Sequence, residues 1–242
     1  MTLAAFERSP VRYARIGGWI YLAIILLGLF GEAWVRGTLV VSGDPAATAA
    51  NIQGAASLWR LGVAGDLLMH VLDVPLIVIL YLLLRPVSSG LALLSTVFNV
   101  VQTAVLAANK LTLLAPVFLL EGSANALPAE VAQGLAYVAI EAHGYGFGIG
   151  LVFFGFACLV RGYLIMHCDY LPRTLGYLLL AAGACYLVNS FALLLSPDLA
   201  SALFPLILLP AFVGELSLAL WLVLKGVDAG QFQRTVDPAL SR

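Results

Sequence analysis

Apolar runs of about twenty residues follow one another from Ile16 to Leu224, separated by short polar connections. Each is long enough to cross a hydrocarbon core of about 30 Å as a helix. Lipid offers no hydrogen bonds, so a crossing segment must satisfy its backbone internally, and the runs predict α-helices. Six spans fit, at about 16–35, 61–84, 91–119, 144–166, 172–195 and 203–225. The expected fold class is all-α, a polytopic membrane bundle of six transmembrane helices. Composition agrees: 62% of the residues are hydrophobic and 10% charged, against roughly 25% charged in a soluble domain. Residues 1–242 then read as a single integral membrane domain, with nothing left for a sizeable soluble one.

Lysine and arginine set the expected orientation. With both termini cytoplasmic, the inner side holds Arg8, Arg12, Arg15, Arg85, Arg161, Arg173, Lys225, Arg234 and Arg242, nine of the twelve basic residues. Arg36, Arg60 and Lys110 fall at outer helix ends. Trp19 and Trp221 mark inner ends, Trp34 and Trp59 outer ends. The first apolar run lacks an A-x-A-like cleavage site and reads as an uncleaved span. Two short outer helices are expected, near 45–58 and 128–142, the first capped by Asp44 with Pro45 at its first position. The stretch from Pro128 to Met166 would be about 58 Å long as one helix. A break is expected at the glycines of positions 144, 146, 148 and 150, or else the helix projects outward. The lipid bilayer is the expected partner. A net charge of -1 argues against nucleic acid.

Asp66, His70 and Asp73 stand out within an apolar run. Positions i, i+4 and i+7 share one helix face, so the three form a stripe. Helical rise puts His70 roughly 14 Å and Asp73 roughly 18 Å below the outer end, with Glu215 at a similar depth. Asn99 and Gln102 reach that level from the third span, and Glu32, Asp66, Asn109, Lys110, Glu141, His143, Tyr145 and Asn189 form a shallower layer. The inner halves are nearly all apolar. This distribution describes a polar cavity open to the outside. A charge at the bilayer centre costs at least about 2.5–3.5 kcal/mol, so these groups are expected to face the bundle interior. Asp66 and Asp73 can each approach His70 from opposite turns, one orienting the imidazole. Lys110 reads as snorkelling outward, with a counter-ion role as the alternative.

His70 and His143, with Asp66, Asp73, Glu141 or Glu215, offer nitrogen and oxygen ligands for zinc. Glu141 and His143 diverge on a regular helix, so both would aim inward only across a break before Gly144. A haem between the two histidines has nothing further to support it. There is no H-E-x-x-H, no G-x-S-x-G and no phosphate-binding glycine loop. Cys158, Cys168 and Cys185 have no metal or disulfide spacing and read as small buried hydrophobes.

"HGYGFGIGLVFFGFACLVRGYLIMHCDYLPRTLGYLLLAAGACYL", with "GELSLALWLVLKGV" and "LLGLFGEAWVRG", resembles a family of uncharacterised bacterial membrane proteins known as a domain of unknown function. The resemblance covers most of the chain and implies a multi-pass protein of the bacterial plasma membrane, with no activity to carry over. "GYLIMHCDYLPRTLG" is its most specific part, in which Pro172 should open the fifth helix at its first position and Arg173 anchor it. Three functions remain open. The first is a binding or transport protein whose polar cavity takes a cation or small polar solute, with protonation of Asp73 or Glu215 coupled to binding. Six spans are few for a transporter, which suggests a homodimer. The second is a membrane-embedded enzyme, metal-dependent in one version, acting on a lipophilic substrate with His70 or His143 as general base. The third is a non-catalytic scaffold in which the polar groups only fix packing.

Overall fold

The computed structural model describes residues 3–120 and 127–237, and the described residues form helices and turns with no strand. In chain order the helices are α1 (Leu3–Arg8), α2 (Pro10–Leu39), α3 (Pro45–Gly54), α4 (Ala56–Leu84), α5 (Ser89–Leu120), α6 (Ala129–Met166), α7 (Arg173–Leu195), α8 (Pro197–Leu203), α9 (Leu206–Leu224) and α10 (Ala229–Val236). Six of them, α2, α4, α5, α6, α7 and α9, are long and apolar enough to cross a membrane. The fold is therefore the expected all-helical one. Lipid-type surface runs along these helices: Leu26, Leu111, Leu195 and Leu224 are among the most exposed side chains. Large apolar side chains exposed along whole helices are more than a water-facing surface usually carries.

Helix boundaries follow local chemistry. The Asp44 carboxylate accepts from Ala47 N (2.9 Å) and Pro45 stands at the first turn, so α3 starts where its cap dictates. It stops at Gly54 because Ala55 leaves helical geometry (φ -131°, ψ 38°). Residues 56–58, assigned from sequence to the short helix, belong to α4. The expected break in α6 does not occur. Its 38 residues run unbroken, about 57 Å at the usual rise, so a 30 Å core cannot contain it upright. Gly146 and Gly148 admit neighbours instead of kinking the helix: a Cβ at Gly146 would collide with the Asn109 side chain, and one at Gly148 would lie 2.8 Å from Leu193 Cδ2. Pro172 is the cap of α7 (φ -68°, ψ 134°), one residue earlier than expected, with Arg173 as the first helical residue.

The chain divides into two compact units. The first comprises Met1–Ala23, Leu72–Thr103 and Gly148–Arg242; the second comprises Ile24–Val71 and Ala104–Phe147. In the first, α6 and α7 meet backbone to backbone. A Cβ at Gly162 would lie 2.7 Å from the Gly176 carbonyl oxygen, and one at Gly183 would lie 2.7 Å from that of Gly155. Each helix thus carries a glycine pair seven residues apart, matched to the other's. With no hydrophobic drive between helices in lipid, such close approach supplies the packing. The helix ends of this unit are tied by aromatics. Phe6 stacks on Tyr13 (5.1 Å), Phe232 meets Phe6 and Tyr170 edge-on, and Tyr170 Oη donates to the Leu83 carbonyl (2.7 Å). Arg85 pairs with Glu7 (2.6 Å) beside them. The most specific stretch in the sequence thus begins and ends at glycines of the α6–α7 contact, Gly162 and Gly176, and holds Tyr170 and Pro172 between them.

The second unit is built on Val35, Leu39, Ile52, Trp59, Val63, Leu113, Val117 and Ile140. Trp59 is 1% exposed and its indole N–H donates to the Leu113 carbonyl (2.8 Å), so it is a core residue and not a ring of the membrane interface.

Two outcomes follow from this packing. Gly162→Leu should destabilise the first unit by at least about 1–3 kcal/mol, the range for an overpacked core, whereas Gly144→Ala, which meets nothing within 4 Å, should be neutral. Unfolding in detergent reads both. Cys168, between α6 and α7, is buried, and burial pushes its thiol up to about 11. A raised folded-state pKa favours the neutral thiol. Its contribution is present below the ordinary thiol range and is lost as pH rises toward 11. Cys168 should therefore resist maleimide at neutral pH until the chain unfolds, as mass spectrometry of the labelled protein would show.

Candidate functional site

The polar residues sort into two clusters, one in each unit. In the second unit the centre is Asp66, 1% exposed on α4. Arg36 Nη1 donates to Asp66 Oδ2 at 2.7 Å, and Lys110 Nζ on α5 lies 3.0 Å from the same oxygen. Arg36 also donates through Nε to Glu32 (2.8 Å), whose side chain is 69% exposed. Residues Phe30–Arg36 of α2 form a π-helical segment, closed by the Gly37 N–H on the Glu32 carbonyl. Gly31 leaves the room for Asp66 beside it, since a Cβ there would strike the carboxylate. π-Segments inside α-helices are rare and concentrate at functional sites.

Lys110 is thus not a snorkelling lysine. It is 2% exposed and ion-paired, because a buried carboxylate stands one hydrogen bond away. The imidazole of His70, 4% exposed, has no carboxylate partner, and its Nε2 is buried with no hydrogen bond among the described residues. Asp66 is engaged by the two cations and Asp73 by residues of the first unit, so the expected carboxylate-oriented imidazole is not formed. On α6, His143 is buried, and Asn109 Nδ2 donates to its carbonyl (2.9 Å) and faces its Nδ1 (3.0 Å). Glu141 and Tyr145, two residues to either side, are exposed. The regular helix makes them diverge from His143, since no break re-aims them.

In the first unit two carboxylates are held by uncharged donors. Asp73 Oδ2 accepts from Thr103 Oγ1 and from Asn99 Nδ2 (3.3 Å). Asn99 also donates to Gln102 Oε1 (2.8 Å), and its own oxygen accepts from Arg161 Nη2 (2.6 Å). Glu215 on α9 accepts from Tyr21 Oη (2.9 Å) and from Tyr186 Oη. Neither carboxylate has an ion pair among the described residues, although the charge of Arg161 acts on both. Asn189 is half-buried on α7.

Sequence reasoning counted Arg161 among the inner basic residues. It is 3% exposed and sits in the polar network. Tyr21, Tyr186 and Thr103 were also missed, because a lone hydroxyl in an apolar helix has no sequence signal of its partner. Among the described residues no group of three or more His, Cys, Asp or Glu side chains is placed to hold a metal ion.

The architecture and these clusters define a multi-pass helical membrane protein with ionisable groups held inside its helices. Residues 16–226 match a family described as a domain of unknown function, DUF4386, and the chain belongs to that family. An uncharacterized protein of Archaeoglobus fulgidus is similar, 27% identical over 164 residues that cover 68% of this chain and 83% of that protein. No solved structure matches.

Asp66→Asn should destabilise the second unit by about 3–5 kcal/mol, because it strands two buried cations. Glu32→Gln, on the exposed side of the same cluster, should cost less than about 1 kcal/mol. Unfolding of both variants in one detergent would check the contrast.

Proposed function

We propose that the chain is a membrane binding or transport protein for a small polar solute or cation, in which Asp73 and Glu215 exchange a proton. The observation that supports this reading is the chemistry of their partners. A carboxylate in an ion pair cannot be protonated without leaving a cation unpaired. One held by Thr103, Asn99, Tyr21 or Tyr186 can gain or lose a proton while these groups rearrange only their hydrogen bonds. The charge of one buried guanidinium, Arg161, acts on both carboxylates of this unit without an ion pair to either among the described residues. One negative charge is left for a proton or a monovalent cation to neutralise, and midplane carboxylates of membrane proteins serve such exchange.

The general-base reading draws less support, since neither histidine is oriented by a carboxylate. We place the protein in a bacterial plasma membrane, as one integral domain with both termini cytoplasmic and a homodimer as its working form.

Infrared difference spectra of the reconstituted protein across a pH titration test the proposal. A protonated-carboxyl band should rise and fall with pH and shrink in Asp73→Asn or Glu215→Gln. Currents evoked on supported membranes by sodium, potassium or a panel of amino acids should vanish in Asp73→Asn. A band absent at every pH, or unchanged in both variants, would refute the proton exchange.

A further inference from the structure

We infer that the second unit binds a singly charged oxyanion group, a carboxylate or a phosphate, between Lys110 Nζ and His70 Nε2. The inference stands on the second unit alone and does not depend on proton exchange in the first. Its starting point is an imbalance around Asp66. Arg36 and Lys110 both converge on Oδ2, at 2.7 and 3.0 Å, and one carboxylate neutralises only one of them. Glu32 compensates Arg36 from the other side of its guanidinium, and does so weakly, because its side chain is 69% exposed. Glu32 acts on Lys110 only from a distance and forms no ion pair with it among the described residues. An ammonium carries three donors, and among the described residues Asp66 is the acceptor that Lys110 reaches.

His70 supplies the second, independent observation. It is 4% exposed and its Nε2 has no hydrogen-bond partner among the described residues. A buried polar atom in that state is uncommon, and each instance calls for an explanation, a bound water or ion among them. His70 lies one turn from Asp66 on the same face of α4, and Lys110 and Asp66 are the charges that act on it. An occupant that accepts from Lys110 and also serves His70 Nε2 therefore needs an acceptor oxygen and one negative charge. Water would satisfy the hydrogen bonds but leave the excess charge. A metal cation would add to it. The π-helical segment that carries Arg36 into this cluster is itself a feature typical of functional sites.

The same group occurs on a soluble anion and on a lipid headgroup, and the test separates them. Sodium phosphate or sodium acetate is titrated into the detergent-solubilised full chain at constant ionic strength, and thermal unfolding is followed. In parallel, the protein is placed, in phosphate-free buffer, in nanodiscs of zwitterionic phosphatidylcholine with or without anionic phosphatidylglycerol. We expect saturable stabilisation in at least one arm. Half-saturation should move about tenfold or more in Lys110→Met and in His70→Leu, the loss of one charge-assisted bond, and recover in Lys110→Arg. A response to soluble anions assigns a free solute, and a response to phosphatidylglycerol alone assigns a headgroup. His70→Leu keeps the test decisive if Lys110→Met fails to fold, since it removes an atom that has no partner. No saturable response in either arm, or an equal response in His70→Leu, would overturn the inference.

Discussion

Hydrocarbon cannot hydrogen-bond or solvate charge, and every feature of this chain answers to that fact. It makes the crossing segments helical. It removes the hydrophobic drive for helix association, so contact depends on close backbones and shared polar groups. It also makes a buried charge in the spans costly unless it is partnered within the protein. The Asp66 cluster and the Asp73 and Glu215 networks are different answers to that last requirement.

Asp66 is answered with charge. Arg36 and Lys110 both bond it, and removing its charge would strand two buried cations. Asp73 and Glu215 are answered with dipoles: an amide, a hydroxyl and two phenols. Dipoles reorient where cations cannot, so the second arrangement tolerates a change of charge and the first resists it. The same residue type is therefore held by charge in one unit and by dipoles in the other.

Much of this was legible in the sequence. Apolar run length gave six spans, and helical spacing singled out Asp66, His70 and Asp73, because periodicity and depth are properties of one helix at a time. What failed were statements about pairs. Lys110 was read as snorkelling and Arg161 as an inner-face residue because their partners, Asp66 and Asn99, lie on other helices. Trp59 looked like an interfacial ring for the same reason. Clustered glycines at 144 to 150 suggested a junction, yet the backbones of α6 and α7 touch at Gly155, Gly162, Gly176 and Gly183. The seven-residue spacing of those pairs was visible, but only the antiparallel partner gives it meaning.

That contact between α6 and α7 has a mechanical consequence. Most helix interfaces are made of side chains, which can change rotamer and let one helix slide or tilt by small steps. Here two backbones lie against each other at matched glycines, and the side chains of Leu159 and Met166 on α6 and of Leu180 and Leu187 on α7 pack over the same points. A slide of α6 along α7 would drive backbone into backbone at those glycines, so this contact resists displacement more than one made of side chains alone.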